Sequence, residues 1–380
     1  MTEKLYYQNA YISSFAANVV DVTPIDKGYD VILDKTAFFP EEGGQSSDTG
    51  YIGDARVNYV YEKEGVIHHL TDKRPSLGEK QCTLDFAERF EKMQCHTAEH
   101  ILCGIIHRLF GLDNVGFHLG EDEVTFDVNG VLTREELDRV EIIANNAVFS
   151  NWPIETLFPS SDELAKIEYR SKLDITEGVR LVKIAAVDTC ACCAPHVAST
   201  GEIGLIKILD FMKHRGGTRI WMVAGHRALS DYRARYDNIK RISGMLSAPQ
   251  LETANILENY LLESEQVKAS LKQARLKIAE LEAQRVRATN GSAVFYLPDF
   301  TIPELIAFSN VANKKVGKIT VALTGTDGDY KYVISSEIVD LKTAAKSINE
   351  ALSGRGGGKS NMIQGSFGAT LDEIRKYFEV

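Results

Sequence analysis

The sequence lacks several features that define whole classes of protein. None of its 380 residues lies in an apolar run of the roughly 18 to 20 residues that a membrane-spanning helix needs. Its start, MTEKLYYQNAYISSF, has no basic stretch followed by an apolar one, so no secretory signal is visible. No internal repeat and no low-complexity tail occurs. These absences argue against a membrane protein and favour a cytoplasmic location, where cysteines stay reduced.

An excess of basic residues and a nucleotide-binding loop are also missing. The formal net charge is −10, which argues mildly against a general nucleic-acid binder but leaves room for local basic patches. The pattern G-x-x-x-x-G-K-[ST] does not occur, because GRGGGKS at 354–360 has similar letters without that spacing. The sequence therefore predicts neither ATP use nor ligase activity.

What is present is an ordinary globular composition, 44% hydrophobic and 25% charged. Residues 1–88 alternate apolar and polar positions between turn signals, which predicts a small N-terminal β-barrel with a Gly-Gly-Gln loop. Residues 89–235 combine two helical patterns with several strands, which predicts an α+β domain. A heptad seam around Tyr260 predicts coiled-coil helices over 236–290, and residues 291–380 alternate strand and helix as a C-terminal α/β domain. The expected fold class is α+β.

A concentration of cysteine and histidine predicts a metal site. Three of the six cysteines lie in DTCACCAPHVASTGEIG, residues 188–204. His96 and His100 are four apart on a predicted helix, so both imidazoles share one face. Cys192 and His196 repeat that spacing on a predicted loop between strands. Three imidazoles and one thiolate form a donor set that suits zinc, if the fold brings the two pairs together.

Plainer interpretations of the same residues stay open from sequence. The histidine pair could be one core and one surface side chain, and Cys103 and His107 extend the same helix face. Cys190 and Cys192 could form a redox site, or Cys192 could be a nucleophile. Neither has the C-x-x-C or helix N-terminal context that such thiols usually have.

Five segments together resemble the alanyl-tRNA synthetase editing domain and its freestanding relatives, the AlaX family. HTAEH at 96–100 and CCAPHV at 192–197 resemble the family's metal-binding motifs. DKTAFFPEEGGQSSDTG at 34–50 and GTRIWMVAGHRAL at 217–229 are similar in kind and order. GRGGGKSNMIQGSFG at 354–368 looks like the glycine-rich signature of the synthetase's C-terminal domain. The resemblance covers nearly the whole chain and is closest to the long AlaX form.

One segment departs from the family pattern. Where the family usually has Cys-Gly-Gly-Thr-His, this chain has Cys192-Cys193-Ala194-Pro195-His196. The ligand spacing survives, so His96, His100, Cys192 and His196 stay the expected zinc ligands. Cys193 offers a second thiol, which leaves open the sulfur ligand, the substrate preference and whether activity is kept.

The resemblance implies a trans-editing hydrolase that deacylates alanine tRNA mischarged with serine or glycine, and no aminoacylation domain in this chain. It implies that Thr36 faces the amino-acid pocket, where its hydroxyl could bind that of serine. Gln45 follows Gly43 and Gly44, which let the backbone approach a ligand closely, so its amide could bind the substrate or a water. Thr36 and Gln45 are therefore the expected catalytic residues.

The resemblance also implies tRNA contacts outside the metal site. Flexible glycines between two cations near the C-terminus suit a phosphate backbone. The expected tRNA-binding residues are Arg215, Arg219, Arg355, Gly356, Gly357 and Lys359. A homodimer through the coiled coil or the C-terminal domain is a further expectation.

Two alternatives to this function stay open from sequence. One is a non-catalytic, zinc-stabilised tRNA-binding protein, and the other is a metal-dependent hydrolase of another aminoacyl ester. The sequence does not decide whether zinc would activate water or position the tRNA terminus.

Overall fold

The computed structural model describes residues 1–120, 122–171 and 178–379. Within these ranges the fold is a mixed α+β fold, which confirms the expected class. The chain divides into two compact units, Met1–Lys240 and Arg241–Val380. None of the described helices is long and apolar enough to cross a membrane. The finer division into four domains stays a prediction.

The first unit opens with a six-stranded closed barrel. Its alternating sequence gives alternating burial, as in β2, where Phe15, Ala17 and Val19 are buried. The elements are β1 (Glu3–Lys4), α1 (Leu5–Gln8), β2 (Ser14–Ile25), β3 (Gly28–Leu33), β4 (Lys35–Thr36), β5 (Gly50–Ile52), β6 (Ala55–Lys63), β7 (Val66–Thr71) and β8 (Gly78–Leu84). The barrel closes in the order β2-β3-β7-β6-β5-β8, and the loop between β4 and β5 carries the Gly-Gly-Gln turn.

The rest of the first unit packs helices against two antiparallel sheets. Its elements are α2 (Phe86–Phe110), β9 (Asn114–Leu119), β10 (Val124–Val128), α3 (Arg134–Phe149), β11 (Ile154–Leu157), α4 (Ser161–Leu164), β12 (Leu181–Ile184), β13 (Asp188–Ala191), β14 (Ile206–His214), β15 (Gly217–Ala224) and most of α5 (Gly225–Leu246). One sheet has the order β14-β15-β10-β9 and the other β11-β12-β13. A 3₁₀ turn, Thr200–Ile203, follows the cysteine segment.

Helix α2 is the central element of this unit. Every residue from Lys92 to Ile106 is buried, so the helix is enclosed on all sides rather than amphipathic. Gly104 permits close contact with β13, because a Cβ there would lie 2.7 Å from the Asp188 Cβ. This enclosure buries both His96 and His100 and rules out the interpretation of one core and one surface histidine.

The second unit joins a long helix to a five-stranded sheet. Its elements are a 3₁₀ turn (Gln250–Glu252), α6 (Thr253–Gln284), β16 (Ala293–Tyr296), α7 (Ile302–Ala312), β17 (Thr320–Thr326), β18 (Asp329–Ser335), α8 (Leu341–Ala351), β19 (Arg355–Lys359), β20 (Met362–Phe367) and α9 (Leu371–Tyr377). The sheet order is β16-β17-β18-β20-β19, and β16 pairs with β17 in parallel while the other pairs are antiparallel.

The glycine-rich C-terminal segment differs from the flexible loop that was expected. Arg355–Lys359 forms the edge strand β19, paired with β20. A Cβ on Gly356 would lie 2.5 Å from the Tyr332 Oη, and one on Gly358 would lie 2.4 Å from the Met362 carbonyl oxygen. These glycines are therefore needed for close packing within the sheet, not for mobility.

Candidate metal centre

Two distant segments bring the four expected ligands together. Helix α2 carries His96 and His100, and the loop after β13 carries Cys192 and His196. The four donor atoms lie within 4.8 Å of one another. The Cys192 Sγ is 3.6 Å from the His96 Nε2 and 3.3 Å from the His196 Nε2. The sulfur therefore lies among the imidazoles, as a shared metal would require.

Hydrogen bonds at Nδ1 fix the orientation of the two helix histidines. The His96 Nδ1 lies 2.9 Å from the Gln45 Oε1, and the His100 Nδ1 lies 3.2 Å from the Asp188 Oδ2. Both partners are acceptors, so each imidazole carries its proton on Nδ1. Nε2 is then the nitrogen of each ring that is left to bind a metal.

The third histidine has the same arrangement. The Thr97 hydroxyl donates to the Met93 carbonyl at 2.7 Å, so its oxygen can only accept from the His196 Nδ1 at 3.0 Å. His196 is buried, and burial lowers its pKa to about 3, which keeps the ring neutral. The Nε2 atoms of the three histidines therefore face the Cys192 sulfur.

The electrostatics of the cluster favour a thiolate at Cys192. Burial alone would raise the pKa of the Cys192 thiol, but the neighbouring imidazoles, that of His96 first, lower it well below its ordinary value. A thiolate with three imidazoles is a donor set for tetrahedral zinc. The residues present therefore fit this metal.

An overlapping group, His100, Asp188 and Cys190, also has donor atoms close together. The guanidinium of Arg170 binds both Asp188 carboxylate oxygens, each at 2.8 Å. Burial raises the pKa of the Cys190 thiol to about 11, so it stays protonated. This group therefore has the chemistry of a support for His100, not of a second metal site.

The loop that carries Cys192 is held by a buried arginine. Arg180 donates through Nη1 to the Cys192 carbonyl at 2.7 Å and to the Ala194 carbonyl at 2.9 Å. The neighbouring thiol of Cys193 points elsewhere, because its Sγ would lie 3.5 Å from a Cβ on Gly43. Burial raises the pKa of the Cys193 thiol, so it remains neutral. Cys192, and not Cys193, therefore lies among the histidines.

The two expected catalytic residues are placed differently. Gln45 is fully buried and joins the cluster through His96, while its Nε2 has no hydrogen-bond partner within the described chain. Thr36 is fully buried at the end of β4, and its hydrogen bonds join it to His69 at 2.9 Å and to the Phe38 amide at 3.1 Å. The hydrogen bonds of Thr36 thus lie in the barrel rather than in the metal cluster.

The expected tRNA-binding residues lie in two places. Arg215 is in the turn between β14 and β15, whereas Arg219 on β15 binds both Asp127 oxygens at 2.7 and 2.8 Å. Arg355 and Lys359 are exposed at the two ends of β19, and the glycines between them are exposed too.

Sequence reasoning missed the residues that support the ligands. Asp188 could have been found, because alternation along β13 puts it on the same face as Cys190, just before the ligand loop. Thr97 adjoins a ligand but has no distinguishing pattern. Arg170 and Arg180 are distant in sequence from the histidines that they help to place, and no local signal marks them.

The chain is similar to proteins of alanine tRNA metabolism. A family model for the second additional domain of threonyl- and alanyl-tRNA synthetases matches residues 179–225, which include Cys192 and His196. The alanyl-tRNA editing protein AlaX-L of Pyrococcus horikoshii is 30% identical, over 98% of this chain and 96% of that protein. The alanine–tRNA ligase of Natronomonas pharaonis is 31% identical over 90% of this chain, which spans 39% of the ligase. A crystal structure of the C-Ala domain of Aquifex aeolicus alanyl-tRNA synthetase is 19% identical and covers 23% of this chain and 86% of that one, with a TM-score of 0.20, too low to equate the folds.

Proposed function

The chain belongs to the AlaX family of alanyl-tRNA editing proteins, and on that premise we propose that it hydrolyses the ester of mischarged alanine tRNA in trans. The substrates that we propose are tRNAs carrying serine or glycine. The observation that carries this proposal is the convergence of three Nε2 atoms on the Cys192 sulfur, at the place where the tRNA-synthetase family model matches. Similarity over 96% of AlaX-L supports action as a separate protein.

Zinc is the metal that we propose for the cluster, with His96, His100, Cys192 and His196 as its ligands. When bound, it supplies a positive charge that can orient or polarise the reacting ester and water. Gln45 would hold His96 through its carbonyl and offer its unpaired Nε2–H₂ to an oxygen of the substrate. A buried donor without a partner is costly unless a ligand satisfies it, which supports this role.

Thr36 is proposed to select serine over alanine by accepting a hydrogen bond. The His69 Nδ1 donates to the Val31 carbonyl at 3.0 Å, and burial lowers the pKa of His69 to about 4. Its Nε2 therefore accepts a hydrogen bond from the Thr36 hydroxyl. The Phe38 amide uses one lone pair of the Thr36 oxygen. One lone pair of the Thr36 oxygen remains, and it can accept a hydrogen bond from the hydroxyl of serine. Alanine has no hydroxyl and cannot make this bond.

Contacts with the tRNA body are proposed for the second unit and for the β14–β15 hairpin of the first. Arg355 and Lys359, with Gly356 and Gly357 between them, form an exposed strand that a phosphate backbone can approach. Arg215 is the better placed of the two hairpin arginines, because the charge of Arg219 is already paired. A homodimer through α6 or the sheet of this unit is part of the same proposal.

A deacylation assay tests the function. Purified protein is incubated with alanine tRNA charged with serine, glycine or alanine, and we expect release of serine and glycine with alanine retained. His100→Ala should abolish release, whereas His107→Ala, an exposed histidine on the same helix, should not. tRNA binding without release would support the non-catalytic alternative. Release of the amino acid from a simple aminoacyl ester, without any need for tRNA, would support the alternative of a metal-dependent hydrolase of another aminoacyl ester.

A further inference from the structure

Two aromatic rings extend from the metal centre to the surface of the first unit. Arg180, which holds the Cys192 loop, lies over the Tyr7 ring at 5.4 Å from its centroid. The Tyr7 ring contacts the Phe158 ring edge-to-face, with the centroids 5.9 Å apart. Phe158 follows β11 and is 59% exposed. We call Tyr7 and Phe158 the aromatic shelf.

The shelf has the chemistry of a base-stacking site. Aromatic side chains bind unpaired bases through their faces, and nearby cations strengthen the contact. Lys4 lies 5.5 Å from the centroid of the Tyr7 ring and pairs with Glu62 at 2.9 Å. The Arg180 side chain is buried, and its Nε has no hydrogen-bond partner in the part of the chain that the structure describes. Its guanidinium places a positive charge beside the Tyr7 ring, which strengthens a stacking site.

A single exposed aromatic residue is common and needs no explanation. Phe158 differs because its contacts lead through Tyr7 and Arg180 to the Cys192 carbonyl. In an aminoacyl-tRNA the ester is attached to the ribose of the last nucleotide, and the base is attached to the same ribose. An ester at the metal centre therefore places its base only one sugar ring away.

We propose that the aromatic shelf binds the terminal adenine of the tRNA by stacking, with Phe158 as its exposed face. This inference rests on the proposed function, since it assigns the base next to the ester that is cleaved. Stacking of this kind does not require recognition of base edges, so the shelf positions the ester and contributes to substrate binding more than to the chemical step.

Fluorescence and kinetics test the shelf separately. The probe is alanine tRNA with 2-aminopurine in place of the terminal adenine, because stacking on an aromatic ring quenches its fluorescence. We expect quenching by the unmodified protein and its loss in Phe158→Ala. Loss of one base stack weakens binding about 5- to 150-fold. We therefore expect KM for serine-charged tRNA to rise by that factor while kcat changes little.

Phe149→Ala is the matched control, since Phe149 is a 73% exposed phenylalanine on α3. This variant should quench the 2-aminopurine fluorescence and bind the tRNA as the unmodified protein does. Tyr7→Leu, which removes the ring beneath Phe158, should give an intermediate loss, with circular dichroism to show that it folds. Equal quenching and equal KM in the Phe158 and Phe149 variants would overturn the shelf. Quenching without hydrolysis would instead refute the proposed function and leave the shelf standing.

Discussion

The carboxylate of Asp188 offers a quantitative test of the metal centre. It is buried and accepts from the His100 Nδ1 at 3.2 Å and from the Arg170 Nε and Nη2 at 2.8 Å each. Burial would raise the pKa of Asp188, but His100 and Arg170 lower it below its ordinary value, so the group is an anion. In Asp188→Asn one acceptor oxygen and the charge are lost, and Arg170 competes with His100 for the oxygen that remains.

The expected cost falls on metal affinity more than on folding. Removing a carboxylate that orients a ligating histidine typically weakens metal binding about 10- to 100-fold. That range corresponds to about 1.4 to 2.7 kcal/mol. The imidazole of His100 would also lose the anion that holds its proton on Nδ1, so a fraction of the rings would present the wrong nitrogen.

Competition with a chromogenic zinc chelator measures this affinity directly. The control is Asp127→Asn, because Arg219 binds Asp127 in the same two-oxygen manner, at 2.7 and 2.8 Å, on β10 and β15. We expect weaker zinc binding in Asp188→Asn and unchanged binding in the control. If the two variants bind zinc alike, Asp188 does not orient a ligand and the reasoning is wrong.

Other substitutions separate the roles of neighbouring groups. Cys192→Ala should lose its zinc by atomic absorption while Cys193→Ala keeps it, and zinc retained in the former would contradict the ligand assignment. Burial lowers the pKa of His69 from 6.5 to about 4. The unfolded chain therefore takes up this proton first, and folding should weaken by up to about 3 kcal/mol as the pH falls from 6.5 to 4. Denaturant unfolding of the unmodified protein should show this loss of stability, and His69→Gln should show a smaller one. The same pH dependence in both proteins would refute the role of His69. Gly104→Ala puts a Cβ 2.7 Å from its nearest neighbours and should lower the free energy of unfolding by about 1–3 kcal/mol. The control Gly244→Ala, where a Cβ would meet open space on helix α5, should not lower it. Equal melting temperatures of the two variants would refute the close contact at Gly104.

Sequence periodicity was sufficient to predict a helix where one strong local signal dominated. The helical pattern that carries His96 and His100 corresponds to α2, which ends at Phe110 before Gly111 in the left-handed conformation of a C-cap. The second helical pattern corresponds to α3, which begins with a capping box of Thr133 and Glu136. Both signals are local, so the rest of the fold could not override them.

The same reasoning failed where contacts distant in sequence decide the structure. The glycine-rich segment has the composition of a loop, yet pairing with β20 makes Arg355–Lys359 a strand. The spacing of His96 and His100 gave the shared face but not its burial, which depends on sheets formed far along the chain. The roles of Arg170 and Arg180 depend on side chains meeting across the fold, and no periodic pattern reports that.

An edge strand holds its end charges at a set separation, which a loop cannot do. Arg355 and Lys359 are four residues apart on β19, so they project to the same side about 13 Å from each other. The three residues between them carry no side chains, which leaves a bare ribbon of peptide groups. A polyanion that binds there must match that fixed span, and it can lie directly on the ribbon because nothing has to move aside.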